Sequence, residues 1–309
     1  MTHATSLNDV QLTQPALVTI GVFDGVHIGH QHLIRQLVER ARASGQRTVV
    51  LTFFPHPDVV LRDITGRYYL TTPEQRAAEL TKLGVDLVIT ERFDDQFRHT
   101  RAADYVELMH SHLTMRELWV GQHFALGFGR EGDVAFLRAE GQRRGYSVHE
   151  VELVVSGDHH AVSSTRIREL VQQGEVDEAA KMLGRPYSVR GEVMHGDERG
   201  RTIGFPTANV QIWDDQVLPA YGVYAGHARF DDEVHECVTN LGVRPTFNGT
   251  QLRVESHLLD FSADIYGKVL EVSFEHRLRG EMRFPSIQDL VAQIRADVDK
   301  GRAILASEQ

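Results

Sequence analysis

The chain is poor in cysteine and lysine, and it holds no long apolar run. Cys237 is the single cysteine among 309 residues, which excludes an internal disulfide and any zinc site built on cysteine. It alternates with apolar neighbours and reads as a small core residue, at home in a reducing cytoplasm. Only Lys82, Lys181, Lys268 and Lys300 are lysines, so arginine supplies nearly all of the 33 basic residues. No stretch approaches the ~20 apolar residues that span a bilayer. The G-x-x-x-x-G-K-[ST] string of a P-loop is missing. A formal charge of −10 argues against a general nucleic-acid or anionic-membrane binder. The segment from Met1 to Gln14 has neither a basic start nor an apolar core, so it reads as a disordered lead-in and not a signal peptide.

What is present divides in two. Strand patterns at Leu17–Val22, Thr48–Phe54, Asp86–Thr90, Glu117–Val120 and Tyr146–Val155 alternate with helical spacing at Gln31–Ala43, Thr72–Gly84, Arg101–Leu113 and Asp133–Gly145. That rhythm predicts a Rossmann-like parallel α/β sheet. Two short helices, Thr165–Gln173 and Val176–Leu183, lead to Gly184-Arg185-Pro186, which reads as a linker. Strand-like segments follow at Tyr187–Val193, Val223–Phe230, Val234–Leu241, Leu252–Leu259 and Val269–Phe274. A helix capped by Ser286 closes the chain with Ile287, Leu290, Val291, Ile294 and Val298 on one stripe. The expectation is an antiparallel β-barrel with a C-terminal helix, with domains over residues 1–184 and 185–309.

The first chemical constellation lies where the first strand turns into a helix: Gly21-Val22-Phe23-Asp24-Gly25-Val26-His27-Ile28-Gly29-His30. A helix N-terminus offers unpaired N–H groups and partial positive charge, and Gly29 removes a Cβ from the path of a phosphate. His27 and His30, three apart, can donate to charge developing on a phosphate in transfer. Far downstream, Ser163-Ser164-Thr165 opens another helix with hydroxyls and N–H groups, and Arg168 stands one turn in as a planar fork of donors.

The second constellation is Gly196-Asp197-Glu198-Arg199-Gly200-Arg201-Thr202-Ile203-Gly204-Phe205-Pro206-Thr207-Ala208-Asn209. Three glycines within nine residues suit a loop that approaches phosphates. If extended, Thr207 and Asn209 share a face and present hard, neutral oxygens of the kind Mg²⁺ accepts. By strand alternation Arg253, Glu255 and His257 share a face opposite Leu252, Val254 and Leu258. His110-x-His112 and His159-His160 lack the partners of a zinc set and read as solvated histidines. Trp119 and Trp213 read as packing residues.

The histidine turn and the S-S-T-x-x-R segment resemble the nucleotidyltransferase superfamily. The string His27-Ile28-Gly29-His30 also matches class I aminoacyl-tRNA synthetases, whose lysine-rich loop this chain lacks. The wider pattern is similar to bacterial bifunctional riboflavin kinase/FMN adenylyltransferase, also called FAD synthetase. It is carried by the histidine turn, Phe54-Pro55-His56-Pro57, the Gly121 to Asp133 segment, G-R-x-x-G-F-P-T-A-N, Glu255-Ser256-His257-Leu258-Leu259-Asp260 and Leu278 to Phe284.

The resemblance implies two reactions: riboflavin and ATP give FMN, then FMN and a second ATP give FAD and pyrophosphate. It implies catalytic roles for His27, His30, Arg168 and Glu255, the last as general base, and an ATP-bound Mg²⁺ at Thr207 and Asn209. ATP contacts fall on Gly21, Phe23, Asp24, Gly25, Gly29, Ser163, Ser164 and Thr165 in the first half, and on Gly196, Gly200, Arg201 and Gly204 in the second. Flavin contacts fall on Pro55, His56, Pro57, His123 and Phe124, and on Arg279, Glu281 and Phe284. His123-Phe124-Ala125 stands where many members carry an acid or amide, then Phe, then a polar or basic residue. Three alternatives stay open: a riboflavin kinase without adenylyltransferase activity, an N-terminal module that adenylylates a different phosphorylated substrate, and a flavin-binding regulator without turnover. Small molecules are the expected partners, and nothing in the sequence bears on self-association.

Overall fold

The computed structural model describes residues 2–152, 162–196, 199–246 and 249–307, with backbone alone at 199, 201, 244–246 and 249–251. The chain divides into two compact units, Met1–Ser164 and Thr165–Gln309.

In the first unit the strands are β1 (His3–Ala4), β2 (Ala16–Ile20), β3 (Arg47–Phe54), β4 (Leu87–Arg92) and β5 (Met115–Gly121). A small hairpin, β6 (Ala125–Leu126) and β7 (Gly132–Asp133), precedes β8 (Ser147–Val151). The helices are α1 (Ile28–Ser44), α2 (Pro57–Leu61), α3 (Pro73–Lys82), α4 (Ala102–Leu113) and α5 (Val134–Arg144). Six strands form a parallel sheet in the order β1-β4-β3-β2-β5-β8. Every residue of β2 is buried, as a strand covered on both faces requires. Ala16, Val18 and Ile20 join a cluster with Val106 and Met109 of α4, while Leu17 joins one with Ile34 and Leu37 of α1. From β2 the chain runs outward to β3 and β4, then returns to β5 on the other side of β2. Strand order reverses there, and the carboxyl ends of β2 and β5 flank the crevice where open α/β sheets bind ligands.

The expectation of a disordered lead-in is overturned. His3–Ala4 pairs with Val88 and Ile89 as the edge strand, and Leu7 and Val10 are buried in the core. His3 Nε2 lies 2.9 Å from Thr90 Oγ1, and Leu7 N donates to the buried Glu91 carboxylate. Burial raises the Glu91 carboxyl above its usual range. His112, expected to be solvated, instead places its Nδ1 2.8 Å from the Val10 carbonyl and helps dock this segment. Charge, hydrogen bonds and apolar burial together order a segment whose own sequence has no periodicity.

The second unit opens with α6 (Ser164–Gln173), whose first residue marks the division, and goes on with α7 (Val176–Leu183), β9 (Tyr187–Met194), α8 (Arg199–Thr202), β10 (Ala208–Ile212), β11 (Gly222–Phe230), β12 (Glu233–Thr246), β13 (Gly249–Leu258), β14 (Val269–Phe274), β15 (His276–Arg279) and α9 (Ile287–Ala306). Antiparallel pairing runs β12-β13-β10-β9-β14-β11 and returns from β11 to β12, closing a six-stranded barrel. β15 continues along β11 beyond β14, across a register shift at Val223/Tyr224. Tyr187, Val189, Tyr224, Cys237, Leu241, Val254, Leu270 and Phe274 are buried. Outside, Leu305 of α9 packs with Val223, Ala225, Val238 and Leu278. The apolar stripe of α9 is only partly covered: Ile287 is exposed, while Leu290, Ile294 and Val298 face a cavity. The Tyr146–Val155 strand pattern ends at Val151 in β8, and residues 153–155 lie outside the described residues, as do His159-His160, Asp197-Glu198 and Phe247.

Candidate active sites

The turn after β2 is built under strain. Phe23 and Val26 hold φ of 51° and 42°, costly for bulky or β-branched residues, on either side of Gly25 at 80°. Buried groups hold the turn in place. The Asp24 carboxylate accepts from Leu70 N (3.0 and 3.1 Å), Thr71 N (3.1 Å) and Thr71 Oγ1 (3.2 Å). Fully buried Arg76 sits 3.8 Å from Asp24 and donates to Val22 O, Thr52 Oγ1 and Phe53 O at 2.9–3.1 Å. A buried guanidinium persists only when matched in this way. Asp24 thus shapes the turn with its side chain, while its backbone carbonyl accepts from Ser164 Oγ at 2.9 Å.

His27 is the N-cap of α1, and its Nδ1 accepts from His30 N at 3.3 Å. With Nδ1 an acceptor, the neutral imidazole carries its proton on Nε2, which becomes the donor. The two rings stack at 3.5 Å and 16°. His30 Nδ1 is buried with no hydrogen-bond partner. Burial, reinforced by His27 and the Arg76 guanidinium, holds the His30 imidazole well below its ordinary pKa. The outcome is a pair of close, polar rings at the N-terminus of α1, beside half-buried Gly21 and Gly29 and buried Gly25.

The other residues predicted for this reaction lie on several elements. His56 caps α2, its Nδ1 accepting from Asp58 N at 2.9 Å, with Pro55 and Pro57 on either side and Pro57 as the first helical residue. His123 follows β5, exposed and with φ of 61°, and Phe124 packs against the core. Ser163 and Ser164 are half-buried and Thr165 is exposed, at the start of α6; Arg168, one turn in, is buried. Trp119 is buried and donates to Glu117, a packing residue as expected.

In the barrel, register does the assembling. Asn209 of β10 pairs with Glu255 of β13, and Glu255 pairs with Asn240 of β12. The three side chains line one cavity of about 450 Å³ together with Gly200, Thr207, Arg253, His257, Arg279, Glu281 and Phe284. Glu255 accepts from Arg253 Nη1 at 3.2 Å. A second cavity of about 370 Å³ is walled by Val193, Gly196, Leu258, Phe261, Ile265 and Tyr266. Thr207 and Asn209 are the two residues common to both linings. Gly196 is required there: a Cβ on it would lie 2.2 Å from Asn209 Nδ2. Gly242 gives the same room to Glu281, whose Oε1 would sit 2.3 Å from an added Cβ. Gly204, at φ 88°, is exposed at the turn before Phe205, and only the backbone of Arg201 is described.

Comparison with known proteins agrees with this division. The FAD synthetase family profile matches residues 9–166 and the riboflavin kinase profile matches residues 183–305. The bifunctional riboflavin kinase/FMN adenylyltransferase of Listeria monocytogenes is 38% identical over 94% of this chain and 92% of its own. The chain belongs to the bifunctional riboflavin kinase/FMN adenylyltransferase family. The Haemophilus influenzae member is 38% identical over 97% of each chain. The solved structure of a Streptococcus pneumoniae protein named for macrolide efflux superposes with a TM-score of 0.87 at 30% identity, covering 97% of this chain and 98% of its own. Among the described residues of this family member, no helix is long and apolar enough to cross a membrane.

The sequence alone missed Arg76, which has no neighbour in the chain to betray its burial, and the second barrel cavity. It also missed Asp297, which lines the first cavity from α9. A lone acid on the buried stripe of an otherwise apolar helix face was the available signal for that residue.

Proposed function

We propose that this protein makes FAD from riboflavin in two steps, with the kinase reaction in the barrel and the adenylyl transfer in the α/β unit. Residues 185–309 are assigned to the first reaction and 1–184 to the second. The helix pair before residue 185 goes with adenylyl transfer because Ser164, Thr165 and Arg168 lie on it. The observation that carries the kinase assignment is the sharing of Thr207 and Asn209 by two cavities. A phosphoryl donor on one side and an acceptor on the other would meet at those residues, next to Glu255.

In the kinase step the ribityl hydroxyl oxygen attacks the γ-phosphorus, the bond to the β–γ bridging oxygen breaks, and ADP leaves. Glu255 accepts the hydroxyl proton, and Arg253 orients its carboxylate until substrate arrives. The Thr207 hydroxyl and Asn209 amide fit Mg²⁺: both are neutral oxygen donors, and both line each of the two cavities. Bound there, Mg²⁺ would supply charge neutralisation on the ATP phosphates. The planar ring is received by the larger cavity, between Leu290, Ile294 and Phe284, with Arg279 and Glu281 at its side. The nucleotide takes the cavity walled by Phe261 and Tyr266.

In the adenylyl step an FMN phosphate oxygen attacks the α-phosphorus of ATP and pyrophosphate departs. The FMN phosphate is already ionised near neutral pH, so no base is needed. His27 and His30 stabilise charge developing on the α-phosphate, with the α1 N-terminus, and the family resemblance assigns Arg168 a role in the same reaction. The strained turn fixes these donors before substrate binds. Flavin contacts are assigned to the Pro55–Pro57 and His123-Phe124 segments at the same end of the sheet. A cytoplasmic location, where ATP is supplied, goes with this reading.

Incubating the protein with riboflavin, ATP and Mg²⁺, and resolving flavins by chromatography, tests the reading. FMN should accumulate first and FAD follow. FMN without FAD, when FMN is supplied directly, would reduce the protein to a kinase.

A further inference from the structure

The guanidinium of Arg279 does not stand free in the larger cavity. Its Nε and Nη2 donate to the Asp297 carboxylate at 2.9–3.1 Å, and its Nη1 donates to the Gly280 carbonyl at 2.9 Å. Asp297 is only 4% exposed. It also accepts from Gln293 Nε2, one turn earlier on α9, at 2.9 Å. On the other side, the Arg279 guanidinium lies over the Phe284 ring, 5.7 Å from its centroid. Three residues past Asp297, Lys300 Nζ donates to the Leu278 carbonyl at 3.0 Å. The terminal helix is thereby fastened to the end of β15 at two consecutive points.

Between those fastenings and the start of α9 the chain has no regular structure, and Glu281, Met282 and Arg283 are exposed. The same segment forms a wall of the larger cavity opposite Leu290, Ile294 and Val298 of α9. We propose that Asp297 is a positioning residue for flavin binding. Through Arg279 it fixes the 279–284 wall against α9 and sets the width of the slot between Phe284 and the helix. The proposal rests on the kinase reading of this cavity. A buried ion pair of this kind contributes little net stability, because desolvation offsets most of its attraction, but it selects one geometry. With both charges satisfied by each other, Arg279 acts by placing the wall and the ring. The slot therefore affects how well a flat, uncharged ring binds and leaves proton removal at Glu255 untouched.

The test compares KM and kcat for riboflavin phosphorylation, with FMN-to-FAD conversion in the same preparation as control. Asp297→Asn should raise the riboflavin KM about tenfold, change kcat by less than about threefold, and leave FAD formation from FMN unchanged. Arg279→Gln should do the same, and the double variant should be no worse than the worse single one, as expected of two residues acting as one unit. Arg279→Lys keeps the charge and loses the planar fork, so its KM should rise several-fold even if Asp297→Asn fails to fold. An unchanged KM in Asp297→Asn or Arg279→Lys, or additive effects in the double variant, would overturn the proposal. A wild-type protein that makes no FMN at all would instead sink the kinase reading beneath it.

Discussion

The two phosphate-handling regions are built in opposite ways. In the α/β unit, ten consecutive residues carry most of the site, and the histidines are placed by helix capping and a strained turn. In the barrel, Gly196, Thr207, Asn209, Asn240, Glu255 and Arg279 come from separate strands and loops, and strand register sets Asn209 and Asn240 on either side of Glu255. Local assembly concentrates the chemistry in a motif. Assembly by register spreads it from Gly196 to Arg279 and makes it depend on every strand between.

The comparison can be broken by substitutions that should each stop one reaction. The largest effect is expected for Glu255→Gln, which should lower riboflavin phosphorylation by ~10³-fold if the carboxylate takes the proton. FMN-to-FAD conversion should hold its wild-type rate. Next, His30→Ala should lower FAD formation by about 10²-fold through loss of one preorganised donor, with FMN formation unaffected. Rates of both half-reactions, measured separately, check the pair; parallel losses would mean the regions are not independent.

A smaller effect sharpens the contrast through pH. His30 is held neutral by burial, so its folded-state pKa lies below the ordinary value of about 6.5. The unfolded chain then binds more protons in the window below that value. Stability of the α/β unit should be full above about pH 6.5 and decline as pH falls through the window. His30→Gln should flatten the decline, as read by thermal melting at a series of pH values, while the barrel's melting should not follow this curve. The smallest effects belong to the helix caps, where the two regions should behave alike. Thr72 accepts from Gln75 N and Ser286 from Asp289 N. Replacing either by Ala should cost ~1 kcal/mol. Heat inactivation of the two activities should then show each loss only in the unit that carries the cap.

Legibility in the sequence follows the same line. The long strands and helices of the α/β unit carry their own periodicity, and Thr72-Pro73 with Gln75 forms the capping box that its spacing indicates. The short elements were hidden. His3–Ala4 is a strand only because Val88 and Ile89 lie beside it, and Pro57–Leu61 is a single helical turn. Ala208–Ile212 does alternate apolar and polar residues, but over five residues at the end of the glycine-rich loop, whereas His276–Arg279 has one apolar residue, Leu278, and no alternation to read. At the sites, His27, His30, Thr207, Asn209 and Glu255 could be picked out by residue type and motif. Arg76 could not, because its importance lies in a partner dozens of residues away, and Asp297 showed only as an acid on the buried stripe of α9, with its partner on another element.

The docked first residues also have a practical side. His3–Ala4 shields the outer hydrogen-bonding rim of β4, which would otherwise present bare amide groups to any passing extended peptide. Trimming the chain back to Ala16, where the first long strand begins, would leave that rim naked along with the hollow vacated by Leu7 and Val10. A shortened protein of this kind should tend to stick to itself, and affinity handles belong where they do not pull on this strand.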